Sequence, residues 1–221
     1  MCGIFLIHKN LIENEFLAKT YFNYGKKRGP DFSYFKLVKD YYLGFHRLSI
    51  NGLDEKSNQP FTKENVMVVC NGEIYNYKKL YENISKKPIT NSDCEIIIDL
   101  YLSGFTTKQI AAMEDGVFAF IIYDLSKNKV MAARDPFGVR PLYYIEKDNE
   151  VCFASDLIQI SNIDKTCVFP PGNIYTNNKL LTYFTVPTLQ STTRHYDYYY
   201  YCQSIKNNLT AYMDQLSDIK E

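Results

Sequence analysis

The chain has 221 residues, and its 25 lysines and arginines balance 25 aspartates and glutamates. This length allows one large or two small domains, each with a hydrophobic core. A net charge of zero, without a basic stripe or an acidic tail, argues against nucleic acid or a membrane surface as a partner. No apolar stretch approaches the length of a membrane span. We therefore expect a small, locally recognised substrate.

The six cysteines are scattered along the chain, at positions 2, 70, 94, 152, 167 and 202. They form no CxxC pair, which argues against a zinc site and requires no disulfide framework. The apolar N-terminal stretch is too short for a signal peptide and lacks a basic flank. These features predict a cytoplasmic protein without a bound metal.

The first third of the chain predicts a strand, a helix and a hairpin. Residues 3–8 form an apolar run typical of a buried strand. Helical spacing of apolar residues predicts a helix that ends near Gly25; its stripe would be Ile12, Phe16, Leu17, Tyr21 and Tyr24. Residues 32–38 and 42–47 then predict a hairpin.

The middle of the chain predicts a buried strand followed by helices. Residues 66–70 are all apolar, and we expect this strand to end at Asn71-Gly72-Glu73. A helix is expected from about Asn76. Ser92 and Glu95 match the Ser-x-x-Glu pattern of a capping box, which would place Asp93 in the first turn of the next helix.

From Val117 onward the apolar period changes to that of strands. The expected strands are residues 117–124, 130–134, 142–145 and 151–154, followed by a hairpin at about 173–176 and 180–184. Strands, then helices, then strands predict an α+β layered sandwich with mostly antiparallel sheets. After Pro187 we expect a linker or docking strap that includes the tyrosines at 198–201, and then a terminal helix over 203–221.

Cys2 is the first candidate for chemistry. If Met1 is removed, the Cys2 thiol and the α-amine belong to one residue, and an N-terminal nucleophile can be activated by its own amine. The alternative is a small residue at the start of an edge strand. A Cys–His dyad with His8, His46 or His195 is a further alternative, although nothing in the sequence places a histidine near Cys2.

Other polar groups could serve such a nucleophile. Asn71 and Gly72 offer a side-chain amide and a backbone N–H for an oxyanion hole, although Asn-Gly is also a common turn. Arg47, at the end of an apolar strand, could bind a substrate carboxylate, or it could be a surface arginine. Glu73 and Asp93 could bind a substrate ammonium, although an acid in a first helical turn is also favoured by the helix dipole. The charged segment 134–141 is interpreted as mainly architectural.

Six motifs follow one another along the chain. They are Met1-Cys2-Gly3-Ile4, Arg28-Gly29-Pro30-Asp31, Gly44-Phe45-His46-Arg47-Leu48-Ser49-Ile50, Asn71-Gly72-Glu73-Ile74-Tyr75-Asn76, Ser92-Asp93-Cys94-Glu95 and Asp115-Gly116-Val117-Phe118-Ala119-Phe120. Their order is the one found in class II glutamine amidotransferases, and their residues resemble most closely the glutaminase domain of asparagine synthetase. The resemblance runs from Met1 to about Phe184.

The resemblance implies the four-layer αββα sandwich of N-terminal-nucleophile hydrolases over residues 1–187. It implies that Cys2 attacks the side-chain amide of L-glutamine, with Asn71 and Gly72 as the oxyanion hole. Glutamate and ammonia would be the products, and no cofactor is implied for this step. The implied substrate-binding residues are Arg47, Leu48, Ser49, Ile50, Asn51, Glu73 and Asp93.

One large departure from the family concerns the end of the chain. An asparagine synthetase continues into an ATP-pyrophosphatase domain with a Ser-Gly-Gly-x-Asp-Ser loop, and the sequence has no such loop. Residues 188–221 resemble only a linker and the opening helix of that domain. We therefore expect ATP and Mg only on the absent synthetase domain, which would use the ammonia and could belong to a separate chain or be missing. The alternative is a catalytically silent module that binds glutamine or docks onto a partner.

Overall fold

The computed structural model describes residues 1–186 and 198–217, and contacts divide the chain into two units, 1–184 and 185–221. In the second unit, the described helix is α5 (Tyr198–Ser217). In the first unit, the helices are α1 (Glu15–Tyr24), α2 (Tyr77–Asn83), α3 (Ile96–Leu102) and α4 (Thr107–Met113). Its strands are β1 (Gly3–His8), β2 (Phe32–Val38), β3 (Tyr41–Arg47), β4 (Phe61–Lys63), β5 (Val66–Ile74), β6 (Gly116–Asp124), β7 (Lys129–Arg134), β8 (Tyr143–Lys147), β9 (Glu150–Ala154), β10 (Cys167–Val168), β11 (Asn173–Thr176) and β12 (Lys179–Thr182).

The strands of the first unit form two six-stranded sheets. Sheet A has the order β10-β8-β9-β1-β3-β2, and sheet B has the order β12-β11-β7-β6-β5-β4. Neighbouring strands in both sheets pair antiparallel. The predicted antiparallel arrangement is therefore confirmed. No helix in the described ranges is both long and apolar enough to cross a bilayer.

Three apolar clusters define four layers. Because side chains alternate across a strand, each sheet buries both of its faces. The inner cluster joins sheet A to sheet B through residues such as Leu6, Phe45, Val69 and Ile121. The outer face of sheet A packs on α1, and the outer face of sheet B packs on α2, α3 and α4. The predicted αββα sandwich is confirmed.

The buried face of helix α1 matches the predicted stripe only in part, since Ile12 and Tyr21 of that stripe pack against the cluster on the outer face of sheet A. The helix begins after Asn14, whose side chain accepts a hydrogen bond from the Leu17 backbone. Its buried residues are Ala18 and Phe22, whereas Phe16 is 78% exposed. The Phe22 ring fits against Gly44 of β3, where a Cβ would lie 2.5 Å from the ring. This close fit decides which side of the helix faces the sheet.

Strand β5 is longer than predicted. Asn71, Gly72 and Glu73 stay paired with Ala119, Phe118 and Val117 of β6. A Cβ on Gly72 would lie 2.5 Å from the Val117 carbonyl oxygen, so glycine permits the two strands to approach here. The expectation that the strand ends at Asn71 is wrong, and so is the alternative of an Asn-Gly turn, because β6 provides ladder partners that local patterning does not reveal.

Two further predictions need correction, and one helix was not foreseen. The Ser92 side chain makes no capping hydrogen bond, and Glu95 accepts hydrogen bonds from Thr90, while the Ser92 backbone donates to Thr90 Oγ1. The tyrosines at 198–201 belong to helix α5 rather than to a strap, and the predicted linker at 188–197 lies outside the described residues. Helix α4, absent from the prediction, begins with a capping box between Thr106 and Gln109.

Candidate active site

Most of the predicted site residues meet at one end of the sandwich, where inner strands of the two sheets begin or end. Cys2 directly precedes β1, Arg47 ends β3, and Asn71 lies in β5. Alternation places Asn71 and Glu73 on the same inner face as Val69. A cavity of about 50 Å³ opens between these strands. Of the predicted site residues, its lining includes Cys2, Arg47, Leu48, Ile50, Asn51, Asn71, Gly72, Glu73 and Asp93.

The Cys2 thiol is partly enclosed by the loop after β3. Its Sγ donates to the Leu48 carbonyl oxygen at 3.6 Å, and Arg28 Nε donates to the Cys2 carbonyl oxygen at 3.2 Å. Burial raises the pKa of the Cys2 thiol. Because the thiolate is the reactive form, this thiol needs a base that removes its proton.

Asn71 presents an unpaired hydrogen-bond donor at this cavity. The residue is 1% exposed, and its Nδ2 has no hydrogen-bond partner among residues 1–186 and 198–217. A buried amide donor without a partner is costly and uncommon in folded proteins. Its position beside the cavity makes it available to an oxygen that enters there.

Arg47 is buried, so the alternative of a surface arginine is wrong. Its Nη1 donates to the Asp54 carbonyl oxygen at 3.1 Å and to Asn58 Oδ1 at 2.5 Å. Its Nη2 donates to the carbonyl oxygens of Asn51, at 3.3 Å, and of Gly52. In this conformation the guanidinium therefore holds the loop that follows β3, and a substrate carboxylate would have to replace one of these acceptors.

The two predicted acidic residues, Glu73 and Asp93, have different hydrogen-bond partners. Asp93 Oδ2 accepts a hydrogen bond from the Ile74 backbone at 2.6 Å, which ties the segment before α3 to the end of β5. Burial raises the pKa of the Asp93 carboxyl, and the nearby Glu73 charge adds to this effect. Glu73 Oε1 accepts from Arg140 Nη2 at 3.1 Å.

Arg140 is a site residue that sequence reasoning missed. It lines the cavity, although its segment was interpreted as architectural. The segment is indeed well braced: Asp135 accepts hydrogen bonds from the backbones of Phe137, Val139 and Arg140, and Arg134 donates to the Arg140 carbonyl oxygen. No local pattern links Arg140 to Glu73, which is 67 residues away.

Several candidates lie elsewhere. Ser49 does not line the cavity; its backbone donates to Asp31 Oδ2 at 2.7 Å. His46 stacks on Phe22 with ring centroids 3.8 Å apart, on the α1 side of sheet A, and His8 pairs with Glu150. His195 lies outside the described residues. Neither described histidine therefore supports a Cys–His dyad.

A family model and several curated proteins are similar to this chain. Residues 1–197 match the family model of the glutamine amidotransferase domain. The chain is 37% identical over 186 residues to a probable glutamine-hydrolyzing asparagine synthetase of Schizosaccharomyces pombe. This match covers 79% of this chain and 33% of that protein. It is 41% identical over 135 residues to a glutamine-hydrolyzing asparagine synthetase of Bacillus subtilis, over 59% of this chain and 17% of that protein.

A solved structure shares the fold. The glutamine phosphoribosylpyrophosphate amidotransferase of B. subtilis superposes with a TM-score of 0.65 at 21% identity, over 84% of this chain and 50% of that one. The chain spans about a third of the length of curated relatives such as the S. pombe protein. Because the family model covers most of the chain, the conclusion is direct: this chain belongs to the glutamine amidotransferase domain family.

Proposed function

We propose that this chain hydrolyses the side-chain amide of L-glutamine to glutamate and ammonia, with Cys2 as the nucleophile after removal of Met1. The observation that carries the proposal is Nδ2 of Asn71, which has no hydrogen-bond partner in the described ranges and lines the same cavity as Cys2. Such a donor suits an oxygen that gains negative charge during acyl transfer. Membership of the glutamine amidotransferase family supports the choice of an amide substrate.

The chemistry begins at the N-terminus. The free α-amine of Cys2 takes the thiol proton, and the thiolate attacks the amide carbon of glutamine. Nδ2 of Asn71 and the backbone N–H of Gly72 stabilise the oxyanion of the tetrahedral intermediate. The C–N bond breaks as the α-ammonium returns its proton to the leaving nitrogen, and ammonia departs. Water, deprotonated by the same amine, then hydrolyses the thioester to glutamate.

Substrate binding in this proposal uses opposite charges at the two ends of the amino-acid group. Arg47 binds the α-carboxylate, since a guanidinium can make two parallel hydrogen bonds to it. Glu73 and Asp93 bind the α-ammonium. The loop of Leu48, Ser49, Ile50 and Asn51 encloses the substrate, and Asn51 provides one of the carbonyl oxygens that Arg47 now contacts.

The cavity must enlarge before glutamine enters. About 50 Å³ is enough for a few water molecules, each of which needs about 10–15 Å³ of such space. Met1 lines the cavity, so its removal both frees the amine and adds room. A shift of the loop that Arg47 holds supplies the remaining volume that glutamine needs.

The ammonia is proposed to serve asparagine synthesis from aspartate in the cytoplasm, on a synthetase chain that binds ATP and Mg. Support comes from relatives named glutamine-hydrolyzing asparagine synthetases, of which this chain matches about a third. The proposal assigns only the glutaminase step to the residues described above.

A silent glutamine-binding or partner-docking module is the second candidate. The partial burial of the Cys2 thiol favours it, because burial raises the pKa of this thiol and so disfavours the reactive thiolate. In that case glutamine binds to the processed protein without release of ammonia, and replacement of Cys2 leaves the affinity unchanged.

The decisive experiment measures glutamate release by protein whose loss of Met1 has been established by mass spectrometry. We expect release by the processed protein and none by Cys2→Ala. Cys167→Ala is the matched control, because Cys167 is exposed and does not line the cavity. Glutamine binding without glutamate release by correctly processed protein would reject the hydrolase and support the silent module.

A further inference from the structure

A lysine lies among acidic side chains behind Asp93. Lys63 Nζ is 2.6 Å from Glu95 Oε1 and 2.7 Å from Asp99 Oδ2. The Glu95 and Asp99 side chains are only 1% and 8% exposed, and Tyr81 donates to Asp99 Oδ2 at 2.8 Å. Buried carboxylates are unfavourable unless they are paired, and Lys63 gives both acids one shared cationic partner.

Glu95 in turn holds the segment that leads into Asp93. Its Oε2 accepts from the Thr90 backbone at 2.7 Å, from Thr90 Oγ1 at 2.8 Å and from the Ile89 backbone at 3.1 Å. Thr90 Oγ1 accepts from the Ser92 backbone at 3.1 Å. One carboxylate therefore organises residues 89–92 by several charge-assisted hydrogen bonds, which are stronger than neutral ones.

The next residue along the chain is Asp93, which is anchored to the Ile74 backbone and lines the cavity together with Ser92. Lys63 does not line the cavity. Its connection to the site runs through Glu95 and the 89–92 segment, so its loss would displace Asp93 without removing any group that lines the cavity.

We propose that Lys63 is a positioning residue for substrate binding: through Glu95 it fixes residues 89–92 and thereby sets Asp93 where the α-ammonium of the substrate binds. This inference rests on the proposed glutaminase function and adds to it a residue outside the cavity. It predicts an effect on substrate affinity rather than on the chemical step, because the thiol and the oxyanion donors are unchanged.

The test compares Lys63→Met with Lys63→Arg in the processed protein. We expect Lys63→Met to raise KM for glutamine about tenfold and to change kcat less than about twofold, and we expect Lys63→Arg to restore most of the affinity. Hydrogen exchange at the Ile89 and Thr90 amides should be faster in Lys63→Met. Lys127→Met is the matched control, because Lys127 pairs with Asp124, whose side chain is 3% exposed, away from the cavity.

The outcomes separate the two proposals. Unchanged KM or unchanged amide exchange in a folded Lys63→Met variant overturns the positioning role. If that variant does not fold, Glu95→Gln tests the same connection with the same two measurements, because the neutral amide removes the ion pair with Lys63 and turns the charge-assisted hydrogen bonds of Ile89 and Thr90 into weaker neutral ones. If the processed wild type releases no glutamate, the proposed function fails, and the exchange of Ile89 and Thr90 alone then decides whether Lys63 holds the segment.

Discussion

Nη2 of Arg140 lies 3.1 Å from Oε1 of Glu73. This ion pair joins the loop after β7 to the C-terminal end of β5. The pair closes one side of the cavity that also contains Cys2 and Asn71. The two side chains are 15% and 28% exposed, and partial exposure reduces the strength of such a pair. Glu73 is therefore held in place while its carboxylate remains accessible to a cationic group.

Glu73→Gln should weaken glutamine binding. The substitution removes the negative charge that is proposed to face the α-ammonium, and it leaves Arg140 without its partner in this ion pair. We expect KM to rise roughly tenfold, or about 1.4 kcal/mol, with a smaller change in kcat. Steady-state kinetics measures this, with Glu64→Gln as the control at an exposed position that does not line the cavity. An unchanged KM would remove Glu73 from the binding set.

Asn71→Ala should reduce the chemical step. Loss of one oxyanion donor lowers kcat by about 10²–10³, or about 2.7–4 kcal/mol, with little effect on KM. Because Nδ2 has no partner among the described residues, urea unfolding should show no loss of stability from that donor. A variant with normal kcat would contradict the oxyanion role, whereas a large loss of stability would indicate a structural role.

Gly72→Ala should separate β5 from β6. The added Cβ would lie 2.5 Å from the Val117 carbonyl oxygen and 2.7 Å from Phe118 Cα, and backbone cannot move aside as a flexible side chain can. We expect a loss of about 1–3 kcal/mol in the free energy of unfolding, measured by urea denaturation. Gly3→Ala is the control, because its Cβ would meet its nearest atom at an ordinary 3.5 Å. Equal stability of the two variants would refute the close approach.

Glu114 should make the protein less stable as pH rises. Both of its carboxylate oxygens are buried without a partner in the described part of the chain, and burial raises its pKa well above the ordinary 4.5, with the Asp93 charge adding to the effect. Between 4.5 and the folded-state pKa, the folded protein binds more protons than the unfolded one. The contribution of Glu114 to the free energy of unfolding is therefore full below about pH 4.5 and decreases as the pH rises above this value.

Glu114→Gln removes this titration. At pH 7 the variant should exceed the wild type in stability by about 1–3 kcal/mol, and the difference should shrink toward pH 4.5. Urea unfolding at both pH values measures it, with exposed Glu82→Gln as the control. A difference that does not depend on pH would show that Glu114 is not held protonated.

Periodicity in the sequence predicted most strands because alternation and apolar runs are local properties. The same reasoning failed where a partner strand decides the outcome. Asn71 and Gly72 have the composition of a turn, yet the ladder with β6 keeps them extended. Helix α4 could have been found from Thr106 and Gln109, whose spacing is that of a capping box.

Glu95 shows a second kind of limit. Its spacing from Ser92 satisfies the capping pattern, but the half-buried Lys63 draws the carboxylate toward β4, and Thr90 occupies its other oxygen. A local rule cannot anticipate a cation from strand β4, 32 residues earlier in the chain.

The sequence by itself determined the cysteine at position 2, the order of the polar motifs and the layered α+β class, since these depend on residue identity and on short-range period. The tertiary structure decided which groups share the cavity. It brought Arg140 to Glu73 and enclosed Arg47 within its own loop, and within the described part of the chain it left Nδ2 of Asn71 without a partner in the cavity that Cys2 also lines. The physical reason is that burial and long-range pairing arise only when the two sheets pack together, so the state of the Cys2 site is a property of the packed sandwich.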